Sequence, residues 1–178
     1  MRRRTIPEGL DTLESGGRFI IRKTWFSMKI IPVLFFCIGW NAFLVFWYVA
    51  AFGGFGDSGP VWLAIIFPIA HVAVGVGLSY YVIASFFNKT DLVISPDWVE
   101  TNTRPIPWKG NAKIRPADIK GVLVRERADG YNKSQYRVMW VDRSMKERPL
   151  FLTLEELDQA NFIRDELAEI LGVENLNE

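Results

Sequence analysis

The stretch IIPVLFFCIGWNAFLVFWYVAAF at residues 30–52 and the stretch VWLAIIFPIAHVAVGVGLSYYVIASFF at residues 61–87 decide the fold of this chain. They hold 23 and 27 residues, and neither contains an Asp, Glu, Lys or Arg. At 1.5 Å per residue they predict helices of about 35 and about 40 Å, whereas the hydrocarbon core of a bilayer is roughly 30 Å thick. Eight residues, 53–60, separate them. The sequence therefore predicts a two-helix transmembrane hairpin over residues 30–87.

Basic residues predict the orientation of this hairpin. Seven Lys and Arg fall within residues 1–29, Lys89 follows the second stretch by two residues, and residues 53–60 carry no basic side chain. Because basic residues concentrate on the cytoplasmic side of a membrane, both termini are expected in the cytoplasm. The first stretch is unlike a secretory signal, since it begins only at residue 30 and exceeds the usual apolar region of about 7–15 residues.

Alternating apolar and polar residues outside the hairpin predict about seven short strands. Two lie before the hairpin, on either side of Ser15-Gly16-Gly17, and two flank Pro96-Asp97. A lone two-stranded hairpin is marginal in water, so the first two strands are expected to join the later ones in one sheet. The remaining three strands are predicted at residues 119–127, 135–142 and 147–153.

An amphipathic helix is predicted at residues 154–171, near the C-terminus. Thr153 and Glu156 have the spacing of a capping box at its start. Apolar residues recur along it at helical spacing, and Gly172 stands where a C-terminal cap belongs. The strands are therefore expected to be followed by a helix with one apolar face.

Three segments on either side of the hairpin carry a resemblance to a known family: FIIRKTWF at residues 19–26, TDL at 90–92 and PIPWKGN at 105–111. In this order they resemble small bacterial membrane proteins that carry a two-helix hairpin and a bacterial pleckstrin-homology-like (PH-like) domain. The resemblance covers most of the chain. It implies an α+β membrane protein of the bacterial inner (cytoplasmic) membrane, multi-pass, and it brings no catalytic residues.

The implied cytoplasmic domain is a PH-like small β-barrel or sandwich of about seven strands, capped by the C-terminal amphipathic helix. An OB fold on a membrane anchor is the alternative, but its roughly five strands fit less well. The predicted division of the chain is N-terminal strands of the cytoplasmic domain at 1–29, the transmembrane hairpin at 30–87 with spans 30–52 and 61–87, and the PH-like domain at 88–178.

Asn41 and His71 are the most polar side chains deep in the two apolar stretches. Their depths nearly match in an antiparallel hairpin. Because polar groups are costly in hydrocarbon, a hydrogen bond between the two side chains is favoured. A contact to a partner membrane protein or a proton-sensitive site is the alternative interpretation.

Small residues recur four apart in the second stretch, as Ala73 with Gly77 and as Gly75 with Ser79. Such spacing lets another helix approach closely. Two interpretations stay open at this point. The small residues serve the packing of the hairpin on itself, or they serve a second protein, including a second copy of this chain.

Eight basic residues are candidates for facing lipid headgroups, because each Lys or Arg near an anionic membrane surface contributes about 1 kcal/mol. Residues 154–178 hold eight acidic residues against Arg164 alone, so that end is expected to face away from the membrane. The basic set either orients the domain or forms a specific headgroup pocket. Its members are Arg2, Arg3, Arg4, Arg18, Arg22, Lys23, Lys29 and Lys89.

Trp108 stands in a segment, residues 104–111, that is too rich in proline for a strand ladder. Rigid aromatic loops can serve as docking surfaces for proteins. Packing of Trp108 against the sheet is the alternative.

No motif in the sequence indicates an enzyme. One Cys and one His cannot form a metal cluster, and the chain has no Gly-rich phosphate loop. A net charge of +1 argues against a nucleic-acid partner. No cofactor, metal or small-molecule substrate is therefore expected.

The leading prediction is a non-enzymatic integral membrane protein that acts as an adaptor or accessory subunit. Its expected partners are the lipid bilayer and a protein, or a second copy of the chain, bound through the transmembrane hairpin. The alternatives are an anionic-lipid-sensing module and an oligomeric pore or transporter subunit.

Overall fold

The structure, a computed structural model, describes residues 5–53, 62, 66, 68–129 and 133–177. The chain is an α+β protein that divides into two compact units. The helical unit comprises residues 25–87, and the sheet unit comprises residues 5–24 together with 88–177. The predicted turn between the apolar stretches, residues 53–60, lies outside the described residues except for Gly53.

Two long apolar helices, α1 (Ile30–Phe52) and α2 (Ile69–Phe87), pack together in the helical unit. Helix α1 has the predicted bounds. Helix α2 follows a turn at Pro68, whose carbonyl accepts a hydrogen bond from the Val72 amide at 2.8 Å. In the earlier part of the predicted span, Trp62 and Ile66 are helical, and residues 61, 63–65 and 67 lie outside the described residues.

Both helices are long and apolar enough to cross a membrane. Their mean hydropathies are 2.1 and 1.6, and only about a fifth of each span is buried in the structure. Phe46 and Phe35 are each about 70% exposed on α1, and Val76 is 64% exposed on α2. These helices therefore differ from the core helices of a water-soluble protein, whose apolar side chains are mostly covered.

The first sheet contains five antiparallel strands in the order β1-β2-β3-β4-β5. Strand β2, which precedes α1, pairs along its length with β3, which follows α2. The expected joining of the N-terminal strands to the later ones is therefore seen. The strands are β1 (Leu10–Ser15), β2 (Arg18–Thr24), β3 (Lys89–Ile94), β4 (Val99–Arg104) and β5 (Ala112–Ile114).

The second sheet has the strand order β8-β7-β6-β9. A short 3-10 helix, Pro116–Asp118, leads into it from the first sheet. Strand β9 returns after the last helix and pairs in parallel with β6. The short strands β5 and β9 were not among those predicted; the strands of this sheet are β6 (Ile119–Asp129), β7 (Lys133–Asp142), β8 (Glu147–Leu154) and β9 (Glu174–Asn175).

The C-terminal helix α3 (Leu157–Leu171) is present, but the predicted capping box is wrong. Strand β8 extends through Leu154, so Thr153 still belongs to a strand, and the N-cap residue is Glu156 without a side-chain capping bond. Pairing of β8 with β7 reaches Leu154 opposite Tyr136, and this ladder overrides the local capping signal. Gly172 ends the helix in the left-handed conformation with φ 64°, as predicted.

The core of the sheet unit lies between the two sheets and α3. Alternate residues of the strands face it, which is the period-2 pattern of a half-buried strand. Helix α3 contributes its apolar stripe to the same core. The fully or almost fully buried members include Ile21, Leu92, Val99, Val122, Val138, Leu150, Phe151, Leu154, Ile163 and Leu167.

Candidate functional site

Three neighbouring strands bring a cluster of charged side chains to one face of the first sheet. Arg22 lies opposite Asp91 across β2 and β3, and Lys89 lies opposite Arg104 across β3 and β4. Residues two apart in a strand share a face, so Lys89 and Asp91 point the same way. Arg22, Lys89, Asp91 and Arg104 are called the Asp91 cluster below.

Asp91 is the centre of this cluster and is only 2% exposed. Arg22 binds it with both donors of its guanidinium fork, at 2.6 Å from Nε to Oδ1 and 2.9 Å from Nη2 to Oδ2. Arg104 Nη2 donates to the same Oδ2 at 3.0 Å. The hydrogen bond from Arg22, aided by Arg104, holds the pKa of Asp91 below its ordinary value, although burial acts in the opposite direction.

The cluster lies at the end of the sheet where the chain departs for the apolar helices and returns from them. Thr24 is the last residue of β2 and pairs with Lys89, the first residue of β3. The cluster contains three cations and one carboxylate, so it carries a net charge of +2. Within the described part of the chain, the amino group of Lys89 has no assigned carboxylate partner.

Only some of the eight basic residues predicted to face lipid headgroups lie close together in the structure. Arg22 and Lys89 meet in the cluster, and Lys23 is next to Arg22 in β2. Arg18 begins β2, so it lies six residues, or about 20 Å, from the Thr24 end of the strand. Lys29 is the N-cap residue of α1 in the other unit. Arg2, Arg3 and Arg4 lie outside the described residues.

The loop that carries Trp108 is fixed at both ends by asparagine side chains. Asn88, 1% exposed, donates to the Ile106 carbonyl at 2.9 Å and accepts from the Ile106 amide at 2.8 Å. At the other end, Asn111 Oδ1 accepts from the Thr103 amide at 2.9 Å. Trp108 is half-buried in this loop, so its predicted docking role stays a prediction.

In the helical unit, Asn41 makes its described hydrogen bonds to Cys37 and Ser79. Its amide nitrogen donates to the Cys37 carbonyl at 2.8 Å and to Ser79 Oγ at 3.2 Å. Ser79 Oγ in turn donates to the Gly75 carbonyl at 2.8 Å. An amide nitrogen has two hydrogens, and these two acceptors use both, so a hydrogen bond between Asn41 and His71 would use the Asn41 amide oxygen as its acceptor.

His71 packs against Trp40. The two rings stack with centroids 5.6 Å apart and an interplanar angle of 18°, and the Trp40 indole donates to the His71 carbonyl at 3.1 Å. The helix crossing places Asn41 level with Gly75 and Ser79, one to two helical turns along α2 from His71. The expected hydrogen bond between the Asn41 and His71 side chains stays a prediction.

The two small-residue pairs have different surroundings. A Cβ atom added to Gly75 would stand 3.0 Å from Leu44 Cδ1 and 3.2 Å from Asn41 Oδ1, so Gly75 and Ser79 serve the contact between α1 and α2. A Cβ atom on Gly77 would meet no heavy atom within 4 Å, and Ala73 is exposed. The Ala73 and Gly77 face is therefore open within the described chain.

Sequence reasoning missed Asp91 and Trp40 as members of these sites. Asp91 is a lone acidic residue at the start of a strand, and only the register of β2 and β4 shows that two arginines surround it. A partial signal existed, because a charged residue inside an alternating strand must face solvent or find a partner.

Comparisons with protein-family models and with curated protein sequences find no match to this chain.

Proposed function

We propose that this protein is a non-enzymatic integral protein of a bacterial inner membrane. In this proposal α1 and α2 span the bilayer, and the sheet unit is a PH-like domain at the cytoplasmic face. The protein acts as an adaptor or accessory subunit that binds another membrane protein through its helices.

One observation carries the membrane assignment. The apolar helices form an insertion between β2 and β3, two strands that pair from Phe19 opposite Ile94 to Thr24 opposite Lys89. Cleavage after α1, as in a signal peptide, would remove β1 and β2 from the sheet that they complete. The exposed Phe and Val side chains of both helices also form an apolar surface much larger than soluble monomers present to water.

The PH-like assignment rests on the order of the elements. Four antiparallel strands, β1 to β4, are followed by three, β6 to β8, and then by the C-terminal helix α3. Seven strands closed by one C-terminal helix is the architecture that the resemblance implies. Strands β5 and β9 are short additions of three and two residues.

Carbonate washing and site-directed labelling test the anchor and its orientation. The intact chain is expected to stay in the membrane pellet at alkaline pH. In a Cys37→Ala background, Ser58→Cys is expected to react with an impermeant maleimide in intact cells, and Lys146→Cys only after lysis. Release by carbonate would contradict the anchor, and the reverse labelling would contradict the orientation.

The adaptor role is tested through the open face of α2. Gly77→Leu adds bulk where the described part of the chain offers no contact, so it is expected to displace a protein partner without disturbing α1. Val76→Leu, at a neighbouring exposed position, is the matched control. Purification in mild detergent should yield a stoichiometric complex for the wild type and Val76→Leu, but not for Gly77→Leu. A lone wild-type chain, or equal recovery with Gly77→Leu, would contradict this role.

A further inference from the structure

We propose that Lys89 and Arg104 bind a phosphate group, and that its source is the headgroup of an anionic phospholipid. The inference rests on the proposed membrane anchor and deepens it by naming two residues and the ligand chemistry. Soluble phosphate is the other source of the same chemistry, and the experiment below distinguishes the two.

The first argument is a pair of like charges that is only partly compensated, because Arg104 shares Asp91 with Arg22 and Lys89 has no carboxylate partner among the described residues. Lys89 and Arg104 are direct cross-strand partners on β3 and β4, an arrangement that destabilises a sheet unless an anion lies nearby. The one buried carboxylate of the cluster, Asp91, is bound by both oxygens to Arg22 and by Oδ2 also to Arg104, so two guanidinium groups already share its single negative charge. A phosphate oxygen placed between Lys89 and Arg104 would supply the missing negative charge.

The second argument is the fixed position of the Arg104 guanidinium. Its Nη2 atom is bound to Asp91, while the side chain as a whole is 63% exposed. Asp91 is itself held by the two-point contact with Arg22. The exposed N–H groups of Arg104 are therefore oriented before any ligand arrives, which lowers the entropic cost of binding an anion.

The third argument is the place of the pair in the chain. Lys89 is the second residue after Phe87, the last residue of α2, so its backbone lies within about 7 Å of the helix end. If α2 crosses the bilayer, its end lies at the headgroup level, where lipid phosphates are the most abundant anions. A lipid source is therefore favoured over a soluble one.

The experiment measures lipid retention by the full chain. The protein is purified in mild detergent, mixed with equal amounts of phosphatidylglycerol and phosphatidylethanolamine, and analysed by native mass spectrometry. Each basic residue near an anionic surface contributes about a five-fold change in affinity, so Lys89→Gln is expected to weaken phosphatidylglycerol binding about five-fold and Lys89→Gln with Arg104→Gln about 30-fold. Lys89→Gln alone leaves Arg22, Asp91 and Arg104 intact, so it reports on binding without disturbing their ion pairs.

The matched control is Arg143→Gln with Lys146→Gln, which removes the same two charges from exposed positions at the β7–β8 turn. The proposal is supported if only the Lys89 and Arg104 variants lose phosphatidylglycerol and if 10 mM inorganic phosphate does not displace it. Displacement by inorganic phosphate would overturn the lipid source. Unchanged retention, or an equal loss in the control, would overturn the site.

Carbonate washing tests the membrane anchor separately. If the chain stays in the membrane but its phosphatidylglycerol binding is unaffected by these substitutions, only this inference is contradicted.

Discussion

At the scale of single residues, Asp91 shows how a charge can be buried in a sheet face. Its carboxylate is almost fully covered, yet both oxygens accept hydrogen bonds from guanidinium groups. Removing one partner of a buried ion pair is more harmful than removing an exposed charge, because the remaining charge stays buried without compensation. The two arginines should therefore differ in their contribution to stability.

Arg22→Ala is expected to lower the free energy of unfolding of the sheet unit by about 2 kcal/mol, and Arg104→Ala by about 1 kcal/mol or less. Arg22 makes the two-point contact and is 31% exposed, whereas Arg104 makes one bond and is 63% exposed. Urea unfolding of the full chain in detergent, followed by tryptophan fluorescence, measures both. Equal losses would show that the two contacts are equivalent.

Asp91 should also contribute to the acid sensitivity of the fold. Because its pKa is lowered in the folded chain, its stabilising effect is complete above the ordinary carboxyl value of about 3.9. It is lost as the pH falls from that value towards the folded pKa. Asp91→Asn should therefore show a smaller drop in melting temperature between pH 5 and pH 3 than the wild type. Asp97→Asn, in the exposed β3–β4 turn, is the control and should keep the wild-type drop.

At the scale of elements, α1 and α2 approach each other closely at Gly75. Gly75 is buried against Leu44 and Asn41, while Gly77 on the same helix faces no described atom. Residues with the same sequence signal thus have different structural roles. The point at which the two helices cross decides that Gly75 rather than Gly77 contacts α1.

Gly75→Leu is expected to separate α1 from α2, because even a methyl group at this position would stand 3.0 Å from Leu44. Gly77→Leu should leave the hairpin intact and serves as the matched control. Disulfide trapping of cysteines placed at Trp40 and His71, whose rings stack 5.6 Å apart, reports the contact. Trapping that is undiminished in Gly75→Leu would contradict the assigned packing.

The edge of the second sheet depends on another glycine. A Cβ atom on Gly121 would stand 2.8 Å from Leu176 and 2.9 Å from the Glu174 carbonyl, so β9 can pair with β6 only because this residue lacks a side chain. Asn177 extends the pairing through side-chain hydrogen bonds with the backbone of Val124.

Gly121→Val is expected to displace β9 and to destabilise the sheet unit by about 1–3 kcal/mol. The amide of Val124, which donates to Asn177, should lose protection against hydrogen exchange. Buried amides of β3 in the first sheet provide the internal reference. Unchanged protection at Val124 would show that β9 tolerates the added side chain.

At the scale of the whole molecule, the helices interrupt a sheet that is continuous in register across the interruption. Thr24 and Lys89 are adjacent partners although residues 25–88 separate them in sequence. The two strands could therefore be joined by a short turn. A Gly followed by Asn88 suits the two central positions of a type II′ hairpin.

A chain in which one Gly replaces residues 25–87 is expected to be soluble and to melt cooperatively as a β-rich domain. It should also appear in the supernatant after carbonate washing, in contrast to the full chain. Circular dichroism and size-exclusion chromatography test its folding. Aggregation, or the absence of a cooperative transition, would show that the sheet unit needs the helices to fold.

Much of the fold could be predicted from local patterns. The first apolar helix, the strands around the Gly16-Gly17 turn and the left-handed Gly172 each depend on a few neighbouring residues, and the structure contains them. The second apolar stretch is described as a helix from Ile69 to Phe87. The start of α3 and the contact of Asn41 with Ser79 could not be predicted. The first depends on how far β8 pairs with β7, and the second on where two helices cross.

The sequence by itself determined two helices of membrane-spanning length and apolarity and the alternating strands around them, because length and periodicity are properties of consecutive residues. Only the tertiary structure decided that β2 pairs with β3 across the insertion, that two arginines surround Asp91, and that Gly75 rather than Gly77 faces α1. These features join residues far apart in the chain. Strand register and helix crossing set them, and neither leaves a local pattern in the sequence.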